Sequence, residues 1–450
     1  MININDVAEN ILSISRKRGC RAQISIGRTE SNDICVRKGE IERLLTSVAI
    51  STGVRLFKGK RSIIIALSGE DFGDMETKIN NALDDIEYLS EDPFRRLLEP
   101  DEFAGDQKDL NLRDESFDAI EIPKIKDALI KIENSALAFD KRISASDTAD
   151  FSASRSSFTI YTTEGLKKSY LKSYYMFGYT AVAEESGLKE RDSWSESRRH
   201  YLDLPSTADL GKIGEIAAER TIKRLGGKKI KSGDRKVVFS WRTADNLLDM
   251  MCDAMDGEAI VLKNSFLVDR VGEKLFPDHI HVIDDPLMPK YIGSYPFDGE
   301  GMNGVTKAVI DKGTLTTYLQ NSYSAGKLNM KLTGNASHIT SSAPHITIGN
   351  IYLQGGKGTM NDLLHEMKEG LLVEELFSSG INEITGDFSF GCSGFLVENG
   401  VITMPVKEIT IAGNLIDLYK DIIAIADDNP WRSSITSPSI LISNLSVAGM

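Results

Sequence analysis

Acidic side chains recur every fourth residue at Asp245, Asp249 and Asp253, with Asp256 close behind. Residues four apart on a helix point the same way, so Asp249 and Asp253 can face one cavity if Thr243 to Glu258 is helical. The interleaved apolar set Ala244, Leu247, Leu248, Met251 and Met255, at i, i+3, i+4, i+7 and i+11, predicts that helix. Two carboxylates on one face have two readings. They are oxygen ligands for a hard divalent cation, or they form a solvated acidic side. Zinc asks for more: a short helical zinc motif needs imidazoles or thiolates three or four residues apart and a carboxylate to activate water. This segment offers Cys252 alone.

The histidines are His200, His279, His281, His338, His345 and His365. His279 and His281 alternate along a predicted strand and so share a face, with Asp284 and Asp285 close in sequence. That is the one pair spaced for a metal, and it lacks a third ligand. His365 falls on an amphipathic helix as a surface residue, and His338 and His345 flank a serine-rich loop that could approach a ligand. Gly355 to Thr359 mimics a phosphate loop but fails as one, because Gly358 follows Lys357 and Ile351 stands where the first glycine belongs. A turn with Thr359 capping the next helix is the better reading. Gly386 to Gly394 gathers Asp387, Ser389, Cys392 and Ser393 with no nearby histidine to activate a nucleophile. Its glycines suit a tight turn or a close backbone approach.

The elements that must carry these residues follow from periodicity. Ile4, Val7, Ala8, Ile11 and Leu12 make an opening helix closed by Gly19. Short strands are predicted at Ala22–Ile26, Ile34–Arg37, Thr46–Ser51, Gly53–Phe57 and Ser62–Leu67, then a helix over Phe72–Leu89. The same grammar returns with a helix at Ile125–Phe139, strands at Ala149–Arg155, Ser157–Thr162, Lys168–Phe177 and Tyr179–Glu185, and a helix capped at Ser206 and stopped by Gly226-Gly227. An internal duplication would explain it. Beyond the basic stretch Gly226–Arg235 come a strand at Lys236–Phe239, the acidic helix, and a strand-rich remainder. Its turns are expected at Asp311-Lys312-Gly313, Glu398-Asn399-Gly400 and Gly413-Asn414, and its further helices at Met360–Lys368 and Gly370–Ser378. The expected class is α+β in two domains: a mixed helix and antiparallel-sheet domain over 1–225 and a β-rich domain over 236–450.

With 450 residues, two cores are expected. The formal charge of −13 disfavours direct nucleic-acid binding, as no basic block offsets it. Cys20, Cys35, Cys252 and Cys392 are too dispersed for a metal knuckle or a disulfide scaffold, which suits a reducing compartment. Asp6 and Glu9 interrupt the first apolar residues, and no apolar run of about 18 occurs, so a cytoplasmic chain with no membrane contact is expected.

The stretch Thr385-Gly386-Asp387-Phe388-Ser389 through Ser393-Gly394-Phe395, Val397-Glu398-Asn399-Gly400, Pro405-Val406 and Glu408 to Leu415, including Asn414, resembles the PmbA/TldE branch of the TldD/PmbA family. Supporting matches are Asp284-Asp285-Pro286, Phe297-Asp298-Gly299-Glu300-Gly301, Ser322 to Ala325, Thr333 to Ala336 and Gly370 to Val373. In the TldD branch the corresponding helix carries a His-Glu-x-x-x-His zinc motif, and a cysteine near the C-terminus joins the metal. The resemblance sets Leu248, Asp249 and Asp253 at the positions of the first His, the Glu and the second His, and Trp431-Arg432-Ser433-Ser434 near the cysteine. It implies a chain that holds no zinc and assembles with a TldD-like metalloprotease subunit that does. The pair would cleave unfolded or extended peptides, among them the leader of a peptide antibiotic precursor and a labile antitoxin. Asp284, Asp285, Asp387, Ser389, Cys392, Glu398 and Asn414 are the candidate groove or family-motif positions, and the isolated chain is expected to form a homodimer. The family's older description as a modulator of DNA gyrase is easier to accept as an indirect effect of proteolysis. Strand edges near Ser389–Val397 and Ile402–Ile411 could pair with an extended peptide. Two alternatives stand beside this reading: an autonomous peptidase using His279/His281 or Cys392, and a homodimeric peptide-binding scaffold.

Overall fold

The computed structural model of the protein describes residues 4–68, 74–338 and 342–450. The N-terminal region runs α1 (Ile4–Lys17), β1 (Arg21–Arg37), β2 (Glu40–Lys58), β3 (Arg61–Ser68), α2 (Met75–Asp85), α3 (Ile122–Phe139), β4 (Ile143–Thr162), β5 (Lys167–Glu185), β6 (Leu188–Arg198) and α4 (Gly211–Arg224). Its six strands form one antiparallel sheet, β3-β2-β1-β4-β5-β6. One face is covered by helices: Ile11 and Ile79 pack on Ile24, Val54 and Leu56, while Leu129, Ile132 and Ile213 pack on Phe151, Tyr175 and Phe177. α3 and α4 approach so closely at Gly214 that a Cβ there would lie 2.1 Å from the Ile132 carbonyl oxygen. The buried Glu133 carboxylate accepts the N–H groups of Lys38 and Gly39 at 2.8 and 2.7 Å, tying the β1–β2 turn to α3.

Three strands stand where five short ones are expected, and β4 and β5 each merge two. The polar residues Arg28–Asp33 hold extended structure because β1 is paired on both sides there, to β2 and to β4. Ladder hydrogen bonds carry the strand where side-chain alternation fades. The helix expected from Phe72 opens outside the described residues and runs from Met75. Ser206 does not cap α4; its hydroxyl donates to Asp209 at 2.6 Å in a turn before Gly211.

The C-terminal region adds β7 (Gly233–Phe239), α5 (Trp241–Ala254), α6 (Gly257–Val261), β8 (Val282–Asp285), β9 (Lys307–Asp311), β10 (Thr314–Leu315), α7 (Ser322–Leu328), β11 (Asn350–Leu353), α8 (Met360–Met367), β12 (Gly370–Ile381), β13 (Asp387–Glu398), β14 (Val401–Asn414), α9 (Leu415–Lys420), β15 (Ile422–Ile425), β16 (Ile435–Thr436) and β17 (Ile440–Ala448). Strands β14-β13-β12-β7-β17 close into a barrel where Thr410–Ala412 pair with Ser446–Ala448, and β15 extends the first half of β17. Along β7, Val237 and Phe239 point to the core that receives α5, and Val238 points to α8, so the strand is buried on both faces. The fold is α+β, with a strand-rich C-terminal region around this barrel.

Gly370–Ser378 is strand, not helix. Its Leu-Leu-Val-Glu-Glu-Leu run suits a helix, but the segment fills the slot between β7, to which it is parallel, and β13. Gly413-Asn414 is not a turn: it ends β14, and the Asn414 side chain caps α9 by accepting the Ile416 N–H at 3.0 Å. Thr359 does cap α8, in a reciprocal pair with Asp362.

The outer face of the N-terminal sheet packs on the C-terminal region. Arg55 and Glu300, both nearly fully buried, pair at 3.1 Å; Gln23 Nε2 donates to the Gly299 carbonyl at 2.8 Å; Ser322 N–H and hydroxyl both donate to Glu300. A Cβ on Gly299 would sit 1.8 Å from the Ser337 carbonyl oxygen, so the chains meet there without room for a side chain. A second contact gathers Arg220, Arg224 and Arg242 around buried Asp192 at 3.3–3.5 Å.

Candidate functional site

α5 presents two unlike faces. Leu247, Leu248 and Met251 are fully buried, each worth about 1.5–3 kcal/mol of burial, and they fasten the helix to the barrel core. Asp249 and Asp253 lie on the other side, where they line a 210 Å³ cavity with Cys252, Asp256, Leu319 and Ile346 to Ile348. Leu248 therefore sits apart from the two carboxylates: its side chain belongs to the core and theirs to the cavity. Asp253 and Asp256 also border a second cavity of 280 Å³ that reaches Asn264 and Glu383. A third, of 260 Å³, adjoins the first through Thr347 and Ile348.

The carboxylates meet little positive charge. Both side chains are exposed at the cavity rim, and partial desolvation there raises the Asp249 carboxyl and, with the charges of Asp249, Asp256 and Glu383, pushes Asp253 up to about 6. Asp256 caps α6 by accepting the N–H groups of Glu258 and Ala259, though burial still lifts it. Asp245 leaves the row: its carboxylate turns inward to accept the Ser437 N–H, and burial pushes it up to about 8. Burial and the nearby Asp249 keep the Cys252 thiol protonated. Carboxylates and a protonated thiol without an imidazole do not fit zinc, and no group of three or more His, Cys, Asp or Glu able to hold a metal occurs among the described residues.

Other expected site residues are dispersed. His279 and His281 precede β8 and do not act together, since His279 Nε2 bonds the Ile422 carbonyl at 3.0 Å and His281 Nδ1 bonds Asp311 at 2.9 Å. Asp284 is buried, paired with Lys307 at 2.8 Å and accepting from Gly349 and Asn335; Asp285 accepts from Leu287 N–H and Thr306. Asp387 and Asn414 come together at 3.0 Å and pin the end of the β13–β14 pair, with Thr385 donating to Asp387 at 2.8 Å. Cys392 is buried in the barrel core, its thiol pushed up to about 12 by burial, and is no nucleophile. Ser389 and Glu398 are exposed at opposite ends of β13. The edge expected at Ser389–Val397 does not exist, because β12 and β14 flank it; on β14, Lys228 covers Pro405 to Lys407 and Thr410–Ala412 are paired, leaving Val401–Met404 open. Arg432 stacks over Trp194 at 3.7 Å and pairs with Glu196.

The third cavity holds residues that sequence reading did not single out together: Tyr170, Lys172, Asp298, Ser337, His338 and Ser434. His338 stacks on Phe158, with ring centroids 3.4 Å apart, and shares a 2.8 Å hydrogen bond with the Tyr170 hydroxyl. The legible signal was the two-residue period Lys168, Tyr170, Lys172 on β5, the phase opposite to the helix-covered Tyr175 and Phe177. Ile339 to Ser341, in the loop flanked by His338 and His345, lie outside the described residues.

A long antiparallel sheet joined to a barrel, with a helix whose apolar face packs into the barrel core and whose acidic face is open, defines a bipartite α+β class of protein. Residues 115–225 match the PmbA/TldA metallopeptidase central domain, and residues 232–449 match the C-terminal domain of the same family. The chain belongs to the PmbA/TldD family. It is 30% identical to the metalloprotease PmbA of Escherichia coli O157:H7 over 99% of this chain and 96% of that one. Against the PmbA homologue of Haemophilus influenzae it is 30% identical over 97% and 94%. TldE from Thermococcus kodakarensis shares the fold, with a TM-score of 0.86 at 21% identity, over 98% of this chain and 100% of that one. No described helix is long and apolar enough to cross a membrane.

Proposed function

We propose that this chain is the non-catalytic subunit of a cytoplasmic two-chain metalloprotease, pairing with a TldD-like subunit that supplies the zinc. One observation carries the reading: the cavity on α5, the helix that the family resemblance sets at the metal position, offers Asp249, Cys252, Asp253 and Asp256 and no imidazole. A chain of this composition supports a peptide chamber without activating water. In this reading residues 1–225 and 236–450 are the two domains, and the isolated chain forms a homodimer through the surface that otherwise meets the partner. The substrate is an unfolded or extended peptide. Ser389 and Glu398, exposed on β13, and the open β14 edge at Val401–Met404 are its contact candidates in this chain. Contact with DNA is not part of the reading.

The test is co-expression with a TldD-like protein bearing an intact His-Glu-x-x-x-His helix, followed by metal analysis and cleavage of an unstructured peptide by each component and by the pair. The chain alone should hold no stoichiometric zinc and cleave nothing, and the pair should cleave. Hydrolysis by the pure chain, or undiminished cleavage by the partner without it, would overturn the reading.

A further inference from the structure

Where the outer face of the N-terminal sheet meets the C-terminal region, positive charge exceeds what the surroundings neutralise. Lys172 on β5 lines the 260 Å³ cavity, and among the described residues its ammonium has neither a hydrogen bond nor an ion pair. Arg199 spends its guanidinium on the carbonyls of Ser173, Tyr291 and Ile292 and meets no carboxylate. Lys168 donates to oxygens of Phe103, Gly301 and Asn303, again without an ion pair. Against these cations stands Asp298, whose oxygens are occupied by the N–H groups of Glu300, Met302 and Ala336. Lys172 is the one cation among the residues that line the cavity, with the Arg199 charge behind it, and the one lining carboxylate, Asp298, is pushed up to about 7 by burial and has its oxygens filled, so the cavity suits an anion.

Neutral polar groups line the same cavity. Ser337 Oγ accepts the His345 N–H at 2.9 Å, which leaves its own proton free. His338, bonded through Nε2 to Tyr170, keeps a buried Nδ1 without a partner, and burial holds its ring neutral. The cavity is smaller than the roughly 300–1,000 Å³ of drug-sized ligand sites, so it suits one residue's end group. It also abuts the α5 cavity through Thr347 and Ile348.

We propose that this cavity is a binding site for a peptide carboxylate, held by the Lys172 ammonium with the Ser337 hydroxyl beside it. The proposal deepens the peptide-handling reading above and rests on it for the ligand's identity. It needs neither metal nor protease partner, so its failure and the failure of that reading are separable. The full chain is titrated calorimetrically with N-acetyl-Ala-Ala as the free acid, with the same peptide as its C-terminal amide, and with N-acetyl-Asp-Ala-amide. At least one carboxylate peptide should bind ten-fold or more tighter than N-acetyl-Ala-Ala-amide. K172M should abolish that preference, and K172R should keep part of it. Preference for the free acid would mark a pocket for a chain terminus, and preference for the Asp peptide a pocket for acidic side chains; both support the site. Equal binding of acids and amide, no binding of either acid, or an undiminished preference in K172M would overturn it. The acid–amide comparison uses the unaltered protein and so stands even if K172M fails to fold.

Discussion

Asp245 is the acidic residue of α5 whose environment makes the sharpest demand. Its carboxylate is turned into the protein, accepts the Ser437 N–H, and is pushed up by burial from 3.8 to about 8. The unfolded chain ionises this group near its ordinary value, whereas the folded chain keeps it protonated until about pH 8. Between those two values the folded state holds a proton that the unfolded state has lost, so the group's contribution to stability is full below pH 3.8 and is lost as pH rises toward 8. Each pH unit inside that window costs about 1.4 kcal/mol at most. Asp245→Asn keeps the Oδ1 acceptor for Ser437 and removes the ionisation. The stability of D245N relative to the unaltered chain should therefore grow by roughly 2–3 kcal/mol between pH 5 and pH 7. Guanidinium denaturation followed by tryptophan fluorescence reads this directly, since Trp241 opens α5. Other groups titrate in both proteins and cancel in the difference. A D245N difference that is the same at both pH values, or that shrinks as pH rises, would refute the reasoning.

Three further outcomes follow from the same packing. Leu248→Ala removes a side chain buried in the barrel core and should cost about 2–5 kcal/mol, whereas Asp253→Asn, on the open side of the helix, should leave the denaturation midpoint unchanged or slightly raised at pH 7. Arg55→Met leaves Glu300 buried without its cation and should destabilise by about 3–5 kcal/mol; the double variant R55M/E300Q should recover part of that loss in the same denaturation assay. Cys20, Cys35, Cys252 and Cys392 are buried with thiols raised by burial, so the native chain should react slowly with a thiol-specific disulfide reagent and the unfolded chain should titrate four thiols at once.

Local rules written into short stretches were legible from the amino-acid order: the apolar stripe of α5, the Thr359 cap, the turns at Asp311-Lys312-Gly313 and Glu398-Asn399-Gly400, and the lack of a histidine on the acidic helix. Each depends on neighbours within about a helical turn, where side-chain spacing alone decides the outcome. Family motifs were legible as well, although their work proved largely structural: Asp284 pairs with Lys307, Glu300 with Arg55, and Asp387 with Asn414. Tertiary structure decided what needed a distant partner. It made Gly370–Ser378 a strand because the barrel had a place between β7 and β13. It carried β1 through a polar stretch because two neighbours supplied the ladder, and it separated His279 from His281 by giving each its own acceptor. It also brought Lys172 to His338, 166 positions away, across a packed seam whose cavity no local pattern announces. Helix faces and caps are short-range choices; barrel closure, strand length and the charge balance of a cavity are sums over residues that only the folded chain brings together.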